Sequence, residues 1–156
     1  MHASQVMTTE FMTVRPESTI AEAVNCFKVA SREQGKNVFG LMVTDADDQL
    51  VGMLSMYDIL IFVQPRHAGI WQELEDAAQA DRFDELLKRV RNIRVGDLMT
   101  TEVVTITPQT HLMAIMDIMI KRHIRRLPVV ENKDVVGIVY ISDLFYYMLN
   151  QYLTDE

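Results

Sequence analysis

Two short segments carry side chains whose types and spacing suit ligand chemistry. In Gly52-Met53-Leu54-Ser55-Met56-Tyr57-Asp58 a glycine is followed three residues on by a serine, and three beyond that by an aspartate. Glycine lets the backbone come close to a bound group. Ser55 at a helix N-cap leaves backbone N–H groups pointing outward, an arrangement suited to an anion. Asp58, one turn in, can accept hydrogen bonds from a vicinal diol such as a ribose, as acidic residues do in nucleotide-binding folds. The same Ser-x-x-Asp is also a capping box, worth about 1 kcal/mol and needing no ligand. The spacing recurs from Gly137 to Asp143, with Tyr140 in the serine's place. A tyrosine cannot close a capping box, so an aspartate kept without that partner points to binding.

The second segment is His123-Ile124-Arg125-Arg126-Leu127-Pro128-Val129-Val130, a basic cluster directly before an apolar strand. Arginine suits bidentate recognition of phosphate. Adjacent strand residues point to opposite faces, so Arg125 and Arg126 reach one phosphate only if a loop carries one of them. A solvated positive edge is the other reading of the same cluster. The four histidines share no ligand spacing, and the acidic turn Asp45-Ala46-Asp47-Asp48 lacks the spacing and terminal glutamate of a calcium loop, so no metal is expected. Cys26 is expected to be inert core. No nucleophile–base pattern is visible, which argues against an enzyme.

These residues are placed by an internal repeat. Met7-Thr8-Thr9-Glu10 recurs 92 residues later as Met99-Thr100-Thr101-Glu102, and Pro16 recurs as Pro108. Leu50-Val51-Gly52-Met53-Leu54 recurs 85 residues later as Val135-Val136-Gly137-Ile138-Val139, the first copy being longer near Ser31–Asn37. Each copy reads as strand, helix, strand, strand, helix. The extended run Phe11–Val14 ends before Pro16, where β geometry is favoured. Thr19 with Glu22 opens a helix whose apolar face is Ile20, Ala23, Val24, Phe27 and Ala30. Its counterpart carries Leu112, Ile115, Met116, Met119 and Ile120. Two apolar strands then flank a polar turn, as in a hairpin. The strands are nearly continuous apolar runs, which predicts a sheet covered on both faces and two copies sharing a core.

The division this predicts is a first repeat over 1–63, a helical connector over 64–93 and a second repeat over 94–156. In the connector, Ile70, Trp71, Leu74, Ala77 and Ala78, then Phe83, Leu86, Leu87 and Val90, suggest two short amphipathic helices broken near Ala80-Asp81. Asp84–Lys88 and Glu85–Arg89 stand as i,i+4 pairs. Trp71 is a candidate interface anchor.

Composition bounds the rest. With 156 residues and 49% hydrophobic content, the chain can bury a sizeable core without a staple. One cysteine excludes an intramolecular disulfide. A net charge of −7 argues against nucleic acid as a general partner. No signal peptide and no membrane span are visible, so a cytoplasmic location is expected. Eleven methionines are many for this length, and an adaptable, unbranched side chain suits halves that repack.

The duplicated pattern resembles the tandem CBS domain pair, or Bateman module. The resemblance rests on Met-Thr at each start, Thr13 to Pro16, Thr105 to Pro108, Arg125 to Val130, and Gly-x-x-Ser-x-x-Asp ending at Asp58. It implies an α+β fold of two βαββα repeats packed as a pseudo-two-fold pair, often dimerised. It also implies an adenosine-containing effector (AMP, ADP, ATP, S-adenosylmethionine or a dinucleotide) in the inter-repeat cleft, with no cofactor required. The implied ligand residues are Thr13 and Thr105 lining the pocket, Ser55 at ribose or phosphate, and Asp58 and Asp143 at the ribose hydroxyls. Arg125 and Arg126 would neutralise phosphate, while Tyr140 stacks on a base, fills the site or blocks it. The first copy lacks the Arg-Arg and the proline of the second, so unequal sites are expected. The expected function is a stand-alone nucleotide sensor, homodimeric, signalling to an unidentified protein. The alternative is a structural dimerisation module that binds no nucleotide and acts through its connector helices.

Overall fold

Thr19 starts the first helix as its sequence predicts. Its Oγ1 accepts the Glu22 N–H at 3.2 Å, which satisfies one of the unpaired donors at the helix start. The computed structural model describes residues 1–64 and 75–153. Its first elements are β1 (Thr13–Val14), α1 (Ile20–Gln34), β2 (Gly40–Thr44), β3 (Leu50–Ser55) and α2 (Met56–Val63). Then come α3 (Asp76–Val90), α4 (Val95–Leu98), α5 (Leu112–Arg122), β4 (Arg126–Glu131), β5 (Asp134–Tyr140) and α6 (Ile141–Met148). A 3₁₀ turn, Ala3–Gln5, precedes β1, and a π-helical turn, Leu149–Leu153, follows α6.

The chain forms two compact units. One is Met12–Ala46 with Val51–Thr101; the other is Met1–Phe11, Asp47–Leu50 and Glu102–Glu156. The opening of each repeat therefore belongs with the body of the other. Residues up to Phe11 join the second repeat, and those from Val95 to Thr101 join the first.

In the first-repeat unit the sheet runs β1-β2-β3, with β1 parallel to β2 and Val14 opposite Val43. All five residues of β2 are buried, as a sheet covered on both faces requires. Ile20, Ala23, Leu41, Val43, Leu54 and Val95 form the centre of its core. Burying each of the larger side chains contributes roughly 1.5–3 kcal/mol before entropy. In the second-repeat unit β4 and β5 pair antiparallel, and the intervening Asn132 and Lys133 both take positive φ, as a tight two-residue hairpin demands. The first strand of this repeat shrinks to one parallel bridge between Ile106 and Val129, the counterpart of Val14 and Val43. Its core holds Ala3, Ile115, Leu127, Val129, Val139 and Leu144.

Two expectations change. The apolar stripes are narrower than the periodicity suggests, because Val24 on α1 and Ile120 on α5 face outward. The connector does not break at Ala80-Asp81. A single helix, α3, runs through both residues, since neither is a helix breaker and Leu86 and Val90 anchor one face on the core. Of the predicted ion pairs, Asp84 and Lys88 make theirs at 3.4 Å on an exposed face. Ile70, Trp71 and Leu74 lie outside the described residues.

Cys26 sits on α1, partly buried against the first-repeat core. Burial pushes its thiol pKa up, and the Glu22 carboxylate adds to the effect. Alkylation by iodoacetamide at pH 8 is therefore expected to be slower in the folded chain than in urea. Equal rates would contradict this packing.

Candidate functional site

At the end of β3 the chain turns directly into α2, and Ser55 is the N-cap. The Asp58 N–H donates to Ser55 Oγ at 3.2 Å, and the Ser55 N–H donates to Asp58 Oδ2 at 2.9 Å. The Ser55 hydroxyl also donates to Oδ2, at 3.1 Å. The capping box thus forms in full. It places a half-buried carboxylate at the positive end of the helix, with its second oxygen turned away from the cap.

That second oxygen has a partner the sequence did not suggest. Thr100 Oγ1 donates to Asp58 Oδ1 at 3.4 Å. Thr100 is held there by its backbone. Its N–H donates to the Met53 carbonyl at 2.8 Å, and its carbonyl accepts the Met53 N–H at 2.9 Å. Thr8 makes the same two-bond rung with Ile138 in the second-repeat unit, at 2.8 and 3.0 Å. The repeated Met-Thr opening was the signal for this rung, but its spacing says nothing about which strand it joins.

The rung also explains the glycines, and corrects their expected role. A Cβ on Gly52 would lie 2.7 Å from Met99 Sδ and 2.9 Å from the Thr100 carbonyl oxygen. One on Gly137 would lie 2.8 Å from Met7 Sδ and 3.1 Å from the Thr8 carbonyl oxygen. The close approach these glycines permit is that of the chain's own Met-Thr segments, rather than of a bound group.

In the second-repeat unit Tyr140 is the N-cap of α6 and makes no side-chain cap bond, with half-buried Asp143 three residues on. Arg126 opens β4 directly opposite Tyr140 on β5, so the two side chains share a face of the ladder. Arg125 precedes the strand and is exposed, which frees it from strand alternation. Its carbonyl accepts the Ile141 N–H at 2.8 Å, tying the start of β4 to the start of α6. In the first-repeat unit the Phe39 carbonyl accepts the Met56 N–H at 2.9 Å. Phe39 therefore stands where Arg125 stands, and Gly40 where Arg126 stands. The inequality read from the sequence has a definite place: where one unit carries two cations, the other carries an exposed phenylalanine and a glycine at the equivalent positions.

Thr13 lies level with Met42 on β1, while the hydrogen bonds of Asp58 go to Ser55 and Thr100. Thr105 is exposed beside the Ile106 bridge. No group of three or more histidine, cysteine, aspartate or glutamate side chains that could hold a metal occurs among the described residues.

Residues 3–64 and 95–150 each match the CBS domain. The chain belongs to the CBS-domain family. Its CBS repeats are 31% identical to the chloroplastic CBS domain-containing protein CBSX1 of Arabidopsis thaliana, over 83% of this chain and 58% of that one. Inosine-5′-monophosphate dehydrogenase of Methanocaldococcus jannaschii is 24% identical over 91% of this chain and 22% of its own. The chain therefore spans just over half of one of these relatives and about a fifth of the other. The solved CBS-pair protein CBSX2 of Arabidopsis thaliana, in complex with AMP, matches the fold with a TM-score of 0.72. It is 23% identical, over 97% of this chain and 98% of that one. The α+β fold and the CBS-pair assignment expected from the sequence are thereby established.

Proposed function

We propose that the chain is a regulatory protein, not an enzyme, that binds an adenosine-containing ligand through the helix starts of its two repeats. The observation that carries this reading is the carboxylate of Asp58. It is fixed at the N-terminus of α2, with Oδ1 turned toward Thr100, and the spacing to Gly137 and Asp143 repeats it. The AMP complex of CBSX2 supports the choice of ligand. In this reading Asp58 and Asp143 take ribose hydroxyls, Ser55 contacts ribose or phosphate, and Thr13 and Thr105 line the pockets. Arg125 and Arg126 neutralise phosphate on the second-repeat side, and Tyr140 packs against the base. Phosphate-bearing ligands then favour that side over the one with Phe39 and Gly40. A ligand shifts the chain's conformation or its self-association only by binding one state more tightly than another. The partner that receives the signal is a separate protein, and the cytoplasm is the proposed setting. No described helix is long and apolar enough to cross a membrane.

A second reading has its own observation. Helix α2 leaves Met56, Tyr57, Leu60, Ile61 and Phe62 exposed, and α6 leaves Ile141, Phe145 and Tyr146 exposed. Apolar faces of this kind suit a homodimer. A thermal-shift panel of AMP, ADP, ATP, S-adenosylmethionine and NAD separates the readings. At 100 times its Kd a ligand adds about 2.7 kcal/mol of stability, a shift of several degrees. A dimer by light scattering with no thermal response to any of the five would favour the structural module.

A further inference from the structure

The hydrogen-bond inventory at Asp58 leaves too little room for the role an aspartate alone would fill. A carboxylate offers about four acceptor positions. Three are filled: two on Oδ2 by the N–H and hydroxyl of Ser55, and one on Oδ1 by Thr100. One position remains, enough for a single ribose hydroxyl. The Thr100 hydroxyl has committed its one proton to Oδ1, so its own two lone pairs are left as acceptors beside the free position on Asp58. Thr100 is exposed, and its backbone is fixed to Met53 by two hydrogen bonds, so the residue is positioned beside Asp58 before any ligand arrives.

We infer that Thr100 is a ligand-binding, specificity-determining residue, which forms with Asp58 a pair of acceptors that reads the two hydroxyls of a ribose. The inference rests on the nucleotide reading above. Asp58 Oδ1 takes one hydroxyl and Thr100 Oγ1 takes the other. A ligand lacking one hydroxyl leaves one acceptor unpaired, so the pair discriminates ribose from deoxyribose. The sequence of the second repeat thereby supplies a residue to the ligand site of the first.

Calorimetric titration with AMP, 2′-deoxy-AMP and 3′-deoxy-AMP tests this, in the full chain carrying Asp143→Ala so that the Asp58 side alone reports. Thr100→Val keeps the side-chain shape and removes the hydroxyl. It is expected to weaken AMP roughly three- to tenfold and to bring AMP to nearly equal affinity with one of the two deoxynucleotides, the one lacking the hydroxyl that Thr100 reads. Thr100→Ser is expected to keep both the affinity and the preference. If Asp58→Ala loses AMP while Thr100→Val binds all three nucleotides as its parent does, the role of Thr100 is overturned and the site reading stands. Equal losses in Thr100→Val and Thr100→Ser also overturn it, because a hydroxyl then does not matter. AMP binding left unchanged by Asp58→Ala overturns the site reading and this role with it.

Discussion

Replacing Asp58 with alanine is expected to weaken adenosine-ligand binding at least tenfold and to lower the stability of the free chain by about 1 kcal/mol. Both effects come from one carboxylate. As N3 of α2, Asp58 closes the capping box with Ser55, and removing such a cap costs about 0.5–2 kcal/mol. As a ligand group it loses a charge-assisted hydrogen bond, worth about 1.5–3 kcal/mol, or one to two orders of magnitude in Kd. Asp143→Ala is expected to show a comparable loss of affinity on its own side, at a helix whose N-cap, Tyr140, makes no side-chain cap bond. Titration calorimetry reads the affinities and thermal denaturation the stabilities. An affinity loss for neither variant would show that these aspartates act only at helix ends.

The second large effect is structural. Gly52→Ala is expected to destabilise the first-repeat unit by about 1–3 kcal/mol, the usual cost of forcing a methyl into a filled site. The added carbon would sit 2.9 Å from the Thr100 carbonyl oxygen, a backbone atom that cannot swing aside as the Met99 thioether can. Relief requires opening the rung between Met53 and Thr100, which also moves the Thr100 hydroxyl from Asp58. Gly137→Ala should cost less, because its tightest neighbours belong to the flexible Met7 side chain and the Thr8 carbonyl oxygen lies at 3.1 Å. A urea-unfolding midpoint for Gly52→Ala equal to wild type would show that the Met-Thr segment yields without cost.

Much of the fold is legible in the sequence because it rests on local signals. Thr19 and Ser55 mark helix starts by capping, and the repeat offset aligns one βαββα unit on the other. What escapes is non-local. A rung of two hydrogen bonds, Met53 with Thr100 or Ile138 with Thr8, leaves no hydrophobic period to read, so the exchange of openings between repeats is invisible before the structure. For the same reason Gly52 reads as a gap for a ligand when it is a gap for Met99 and Thr100. The helix through Ala80-Asp81 escapes because two connector stripes suggested a break where propensity provides none. At the candidate site, Ser55 and Asp58 are found by their spacing. Arg126 and Tyr140 are brought opposite each other by strand register, which spacing alone does not fix. Thr100 could have been found from the repeated Met-Thr, but only with knowledge of the strand it joins.

In the proposed function a ribose-bearing nucleotide is held by the aspartates that follow β3 and β5. Calorimetric titration of AMP into the wild-type chain and into an Asp58→Ala/Asp143→Ala double variant tests it most directly. Saturable binding is expected in the first and none in the second, with the double variant still folded by circular dichroism. Equal AMP affinity in the two proteins would contradict it.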